Sequence, residues 1–187
     1  MLVVSNIDLK INGKILKPSE FLKSSIKEDC ILNISNDYRY MKIGYYVSLH
    51  AETLGSTVIP PTENILDAYR TPIMLIKAAK ANIPIPPNIV AGSVKQIISE
   101  LSFPVVIFPV NPVSVGVFRI AHNRAALYRA FKSLTMNYKY AVCAMPFYGE
   151  IISCKSFFGK CTIDDADVAE IARKIYKELQ IPICNLL

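Results

Sequence analysis

The sequence predicts an α/β (α+β) fold in two parts, a small α/β N-terminal domain over residues 1–68 and an α+β region over residues 69–187. Short apolar runs typical of strands alternate with amphipathic helical patterns along the chain. Hydrophobic residues make up 52% of the 187 residues and charged residues 19%, which excludes a disordered chain. The alternation runs from one end of the sequence to the other without low-complexity tracts or a short repeat.

In the first part, helices are predicted from apolar residues that recur every three or four positions, and strands from short apolar runs bounded by turn residues. The elements in order are a helix at Pro18–Lys27 capped by Ser19, a strand at Cys30–Ser35, a helix from Ile43 to Leu54 that Gly55 ends, a strand at Thr57–Ile59 and a helix that begins at Thr62.

The second part continues the alternation, with proline and glycine marking the boundaries of its elements. The predicted elements are a helix from Pro72 to Ile83, a strand at Ile89–Val90, a helix at Val94–Leu101, strands at Val105–Phe108 and Gly116–Ile120, a helix at Leu127–Leu134, strands at Tyr140–Met145 and Ile151–Phe157, a helix at Val168–Leu179 behind a capping box at Thr162-x-x-Asp165, and a strand at Pro182–Leu187.

Several classes of protein are excluded by simple patterns. The most apolar run, Phe103–Phe118, is interrupted by three prolines, which argues against a membrane span. The first residues lack the basic and apolar regions of a signal peptide, so we expect a cytoplasmic protein. Five cysteines without a C-x-x-C pair predict reduced thiols rather than a disulfide framework or a zinc site.

The net charge of +6 is spread unevenly. Residues 1–70 are neutral, residues 71–160 carry a net charge of +8, and residues 161–187 carry −2. A basic middle segment favours an anionic partner such as a nucleotide, a phosphorylated metabolite, an acidic protein or RNA. The alternative is a set of solvated lysines and arginines on helix faces.

Single titratable residues admit two interpretations each. His50 is either a general base or a packing residue of its helix, and His122 with Asn123 is expected to cap the following helix. The acidic group Asp164, Asp165 and Asp167 is either a metal site or a favourable helix N-terminus. We predict no catalytic residue and no metal ligand, since no nucleophile–base constellation follows from spacing.

Two further sets of residues could contact a partner. Arginines and lysines surround one predicted strand–helix unit, at Arg119, Arg124, Arg129, Lys132 and Lys139. Tyrosines crowd a second segment and could stack on a base or form a structural or subunit contact, at Tyr38, Tyr40, Tyr45 and Tyr46.

The segment NDYRYMKIGYYVSLHAETLGSTVIP at Asn36–Pro60 resembles the N-terminal region of RimK-like ATP-grasp proteins. Downstream, Arg70–Pro87 and Ser102–Ile120 resemble the helix and the strand–loop–strand of that superfamily, and the likeness continues to Leu187. The resemblance implies an ATP-grasp core, here incomplete and degenerate. Such enzymes activate a carboxylate as an acyl phosphate with ATP and Mg²⁺ and let an amine attack it.

Several parts of the implied site are replaced or missing. The resemblance implies a lysine for the nucleotide phosphates at the position of Phe108, and an acidic residue on the strand that here reads Val142–Met145. Glu150 is the one carboxylate between Leu101 and Ile163, and the sequence ends at Leu187 before the implied Glu-x-Asn metal segment. The remaining candidates for anion or cofactor binding are Asn111, Ser114, the N–H of Gly116 and Lys155.

Three functional hypotheses follow. The first is a degenerate ATP-grasp-like protein that binds a protein partner or a second copy of itself and has no cofactor. The second is an active carboxylate–amine ligase with an altered site, which alone calls for ATP and Mg²⁺ and for roles of Glu150 and Lys155. The third is an RNA- or polyanion-binding module that uses the basic middle segment. A membrane partner is not expected.

Overall fold

The computed structural model describes residues 1–9, 13–110 and 118–187. In chain order its elements are β1 (Leu2–Ser5), β2 (Ile15–Leu16), α1 (Pro18–Phe21), β3 (Cys30–Ile34), α2 (Ile43–Thr53), β4 (Thr57–Ile59), α3 (Thr62–Tyr69), α4 (Thr71–Lys80), β5 (Ile89–Ala91), α5 (Val94–Glu100), β6 (Val105–Pro109), β7 (Arg119–Ala121), α6 (Arg124–Leu134), β8 (Val142–Pro146), β9 (Cys154–Phe157), β10 (Lys160–Cys161), α7 (Ala166–Leu179) and β11 (Ile183–Leu186). The mixture of helices and strands confirms the predicted α/β (α+β) class. Within these residues, no helix combines the length and the apolarity that crossing a membrane requires.

The chain forms two compact units by its internal contacts. One unit contains Met1–Asp67 together with Ile152–Leu187, and the other contains Ala68–Ile151. The predicted division into residues 1–68 and 69–187 remains a prediction, because compactness alone does not define a domain that folds independently.

The first unit contains a parallel sheet in the order β2-β1-β3-β4. Parallel strands need crossover connections, and α2 supplies the one between β3 and β4. The apolar core of this sheet contains Leu2, Val4, Phe21, Ile31, Val47, Ala51 and Val58, all of them buried. The same unit contains a small antiparallel sheet in the order β10-β9-β11, whose strand β10 contacts α7.

The second unit is built on an antiparallel sheet in the order β5-β8-β6-β7. Side chains alternate between the two faces of each strand. One face packs against α5 and α6 in a core that includes Val105, Ile107, Val142 and Ala144. The next residue along each strand therefore points to the opposite face.

Local predictions at the ends of the helices α1 and α7 were wrong, and the helix predicted to reach Ile83 and the strand predicted to begin at Ile151 are shorter, at Thr71–Lys80 and Cys154–Phe157. The predicted helix at Pro18–Lys27 ends at Phe21, because the Ser24 hydroxyl donates to the Phe21 carbonyl at 2.8 Å and the chain turns away. Ser19 lies inside this helix, and the residue before the helix is Lys17, whose N–H donates to the Glu20 carboxylate.

At α7 the cap is Asp165 itself rather than Thr162. The Asp165 carboxylate accepts from the N–H groups of Asp167 and Val168 at 2.9 and 3.0 Å. A carboxylate at this position satisfies helix donors that would otherwise lack partners. These bonds support the helix N-terminus interpretation of the acidic group.

Candidate functional site

The position of Phe108 is the centre of the candidate site. Phe108 lies on β6 directly opposite Cys143 of β8, on the sheet face that α5 and α6 do not cover. Its ring contacts the ring of Phe118, with centroids 5.9 Å apart. The side chain at the position implied for a phosphate-binding lysine therefore packs against other apolar groups.

The apolar side chains on this face form one group, which we call the second-face cluster. Its buried members are Leu75, Val106, Cys143 and Met145, and the partly buried side chains packed on them are Met74, Ile85, Phe108, Val110, Phe118, Ile120, Phe147 and Ile151. Helix α4 contributes Met74 and Leu75 to it. Four residues of the apolar run at Phe103–Phe118 belong to this cluster, namely Val106, Phe108, Val110 and Phe118.

The one titratable group buried in the second-face cluster is a thiol, that of Cys143. Burial raises the pKa of the Cys143 thiol to about 11. The thiol is thus protonated and uncharged near neutral pH, and it acts as an apolar side chain rather than a nucleophile or a soft metal ligand.

These side chains do not fit Mg–ATP. A phosphate requires N–H or cationic donors, and Mg²⁺ requires oxygen ligands, usually carboxylates. The described members of the second-face cluster offer neither. Among the residues that the structure describes, no group of three or more His, Cys, Asp or Glu side chains is placed to hold a metal ion.

The four predicted anion- or cofactor-binding residues are not assembled into one described site. Asn111, Ser114 and Gly116 lie outside the described residues. Lys155 is exposed on β9, where it is paired with Asn185 of β11. Their roles stay predictions.

The tyrosine-rich motif at Asn36–Pro60 is held by a buried polar network. The Asn33 amide donates to the Gly44 carbonyl at 2.7 Å and to the Ser48 hydroxyl at 2.8 Å. The Ser48 hydroxyl donates to the Pro60 carbonyl at 2.7 Å, and the Tyr38 hydroxyl donates to the Asn33 carbonyl at 2.8 Å. Buried polar groups need such partners, so this part of the motif is structural.

His50 and Asn123, the residue after His122, both make structural contacts. The His50 ring packs edge-on against Phe21 with centroids 5.1 Å apart, and its Nε2 lies 2.9 Å from the Ser24 carbonyl oxygen, which supports the packing interpretation. Beside His122, Asn123 caps α6 by accepting from the Ala126 N–H at 2.9 Å.

The cations around α6 were predicted from the sequence as a possible partner contact, whereas the tyrosines among them were not. Tyr128 follows Arg124 by four residues and precedes Lys132 by four, so the three side chains share a helix face. Inspection for aromatic residues at this spacing would have found Tyr128 from the sequence.

A family model described as the RimK-like ATPgrasp N-terminal domain matches residues 18–187. No curated protein matches the chain.

Solved structures with the same fold are ATP-grasp proteins. A RimK domain protein ATP-grasp from Sphaerobacter thermophilus is 13% identical with a TM-score of 0.70, and the match covers 100% of this chain and 85% of that one. D-alanine–D-alanine ligase from Bacillus anthracis is 14% identical with a TM-score of 0.65, covering 98% and 80%. N5-carboxyaminoimidazole ribonucleotide synthetase from Thermotoga maritima is 13% identical with a TM-score of 0.59, covering 96% and 54%.

At these identities the solved structures show a shared fold, and the family model extends over both predicted parts of the sequence. Together with the α/β architecture and the motif at Asn36–Pro60, they confirm the resemblance. The chain belongs to the RimK-like ATPgrasp N-terminal domain family, within the ATP-grasp ligase-like fold.

Proposed function

We propose that this chain is a catalytically degenerate ATP-grasp-like protein that acts by binding another protein rather than by joining a carboxylate to an amine. The observation that carries the proposal is the packing of Phe108 into the second-face cluster, at the position where the family resemblance implies a phosphate-binding lysine.

A phenyl ring at this position removes a donor and also changes the environment of the phosphates. Phe108 contacts Phe118 and faces Cys143, so an anionic group placed here would be desolvated without receiving hydrogen bonds. Burying an unpaired charge is strongly unfavourable. This packing supports loss of nucleotide binding.

The distribution of carboxylates supports the same conclusion. The unit Ala68–Ile151 contains two acidic residues, Glu100 and Glu150, and both are exposed. Glu100 ends α5, whereas Glu150 follows β8 by four residues. Two carboxylates on separate segments are a poor basis for a magnesium site, which favours a role that needs no metal.

Exposed apolar side chains on α2 support the binding part of the proposal. Ile43, Tyr46 and Leu49 recur every three residues on this helix, Met41 lies just before it, and all four are exposed. Contiguous exposed apolar groups are typical of a surface that contacts another protein. A second copy of this chain is the occupant that we test.

Calorimetric titration of the folded protein with Mg–ATP tests the nucleotide half of the proposal. We expect no saturable heat and no Mg²⁺-dependent release of phosphate, whereas micromolar Mg–ATP binding would overturn degeneracy. If turnover is seen, Glu150→Gln and Lys155→Ala test the alternative of an active ligase with an altered site, since that alternative requires both changes to lower the rate.

Sedimentation velocity over a concentration series tests the binding half. We expect self-association that Tyr46→Ser weakens, because the substitution removes a ring from the α2 surface. Tyr148→Ser is the matched control, since Tyr148 is 85% exposed and lies outside α2. A monomer at every concentration, or equal effects of the two variants, would contradict association through α2.

A further inference from the structure

The unit Ala68–Ile151 is strongly basic. It contains nine lysines and arginines against two acidic residues, a net charge of +7, whereas the remainder of the chain carries −1. No acidic residue occurs anywhere between Glu100 and Glu150. A polyanion that contacts this stretch meets cations and no carboxylate from within the stretch itself.

Helix α6 presents cations and an aromatic ring together on its outer side. Arg124, Tyr128 and Lys132 follow one another at intervals of four, so they span about 80° of the helix circumference, and Arg129 lies beside them. All four are exposed. The inner side of the helix is apolar and buried, with Leu127, Ala130, Phe131 and Leu134.

The turn after α6 extends this surface with a second ring. Met136, Asn137 and Tyr138 have φ values of 51°, 62° and 65°, a conformation that is rare for residues other than glycine. The buried Thr135 holds the turn, since its hydroxyl accepts from the Tyr138 N–H at 2.8 Å and its carbonyl accepts from the Lys139 N–H at 3.0 Å.

Tyr138 is therefore held in place while it remains accessible. Its ring stacks on the buried ring of Phe131, with centroids 5.8 Å apart and an interplanar angle of 27°. Even so, 52% of Tyr138 is exposed, and Lys139 beside it is exposed as well. A ring fixed on one face and accessible on the other is suited to stacking.

We propose that the α6 surface, consisting of Arg124, Tyr128, Arg129, Lys132, Tyr138 and Lys139, binds single-stranded nucleic acid. The four cations pair with phosphates, and the two tyrosine rings stack on unpaired bases. Alternating cations and accessible rings favour this ligand over an acidic protein, which would use the cations but not two stacking faces. The site lies apart from the second-face cluster and does not depend on the loss of ATP binding.

Fluorescence anisotropy with a labelled single-stranded RNA of about 16 nucleotides tests the proposal. Four phosphate contacts predict that the logarithm of the association constant falls with the logarithm of salt concentration with a slope of about −3 between about 50 and 200 mM. Arg129→Ala with Lys132→Ala should reduce that slope by about 1.4 in magnitude. Lys80→Ala with Lys160→Ala removes the same charge from exposed positions outside the α6 surface and should leave the slope nearly unchanged.

Stacking is tested separately with an aromatic pair. Tyr128→Ala should weaken RNA binding about fivefold or more, since base–ring stacking contributes at least that much per base. Tyr148→Ala removes a more exposed tyrosine outside the α6 surface and should have no effect. Circular dichroism is used to check that each variant is folded. We expect Tyr128→Ala to fold, because alanine favours an exposed helical position.

Three results would overturn the proposal. They are absence of RNA binding at the lowest salt concentration, equal slopes for the two charge-removing double variants, and unchanged affinity of Tyr128→Ala. The proposal would also fail if duplex RNA, heparin or an acidic peptide bound as tightly as single-stranded RNA and Tyr128→Ala left that binding unchanged. Such a result would indicate general polyanion binding rather than base stacking.

Discussion

Replacing Gly44 with alanine is expected to destabilise the protein, because α2 approaches the chain at Ser35–Asp37 too closely for a side chain. A Cβ atom at Gly44 would lie 2.5 Å from the Asp37 carbonyl oxygen and 2.7 Å from the Ser35 hydroxyl oxygen. The backbone there cannot easily yield, since the Ser35 N–H donates to the buried Tyr38 hydroxyl at 2.9 Å.

The size of the effect follows from two destabilising terms and one stabilising term. Overpacking a tight site costs about 1–3 kcal/mol, and displacing Gly44 also strains the 2.7 Å bond from the Asn33 amide, for about 1–3 kcal/mol more. Alanine returns up to about 1 kcal/mol through its helix propensity. We therefore expect the free energy of unfolding to fall by about 1–6 kcal/mol and Tm by about 2–24 °C for a chain of this size.

Thermal and urea denaturation followed by circular dichroism measures the effect. Gly92→Ala is the matched control, because a Cβ at Gly92 meets nothing within 4 Å. Its stability should stay within about 0.5 kcal/mol of the parent protein. If Gly44→Ala is as stable as Gly92→Ala, the close approach of α2 to residues 35–37 is not a feature of the folded protein.

Three further predictions each concern one residue. Tyr38→Phe removes the hydroxyl that accepts from Ser35 and donates to Asn33, and urea denaturation should show a loss of about 1–3 kcal/mol, whereas an unchanged midpoint would contradict the buried network. Because burial raises the pKa of Cys143 above its ordinary value of 9.0 to about 11, its stabilising contribution is complete below pH 9 and is lost as pH rises to 11. The fall in stability across that window should be smaller in Cys143→Ala, and equal falls would count against the burial of this thiol. Asn123→Ala removes the cap of α6 and should lower the free energy of unfolding, measured by thermal denaturation, by about 1 kcal/mol. An unchanged stability would contradict the cap.

The pattern of apolar residues predicted long elements better than short ones. The helices α6 and α7 begin and end close to their predicted positions, because their apolar stripes extend over several turns. The helix α1 is shorter than predicted, because the hydroxyl of Ser24 competes for the carbonyl of Phe21. A single side chain can end a helix, and periodicity does not report it.

The candidate site was predictable in its chemistry but not in its assembly. Phe108 was singled out from the sequence because its position implies a lysine, and its apolar character is visible in its residue type. Its partners were not visible, since Cys143 lies 35 residues away and meets it only through strand pairing. The tyrosine at position 138 was missed for a related reason, because an αL turn places its ring on Phe131.

By itself, the amino-acid sequence determined the fold class, the facing of most side chains within each element and the concentration of positive charge. These are local properties, set by periods of 2 and 3.6 residues and by residue type. Only the tertiary structure decided that Val106, Phe108 and Met145 share one apolar face with α4, and that the α6 surface holds a stacked ring beside its cations. Such contacts join residues whose pairing depends on the register of strands and on backbone turns, which no short window of sequence specifies.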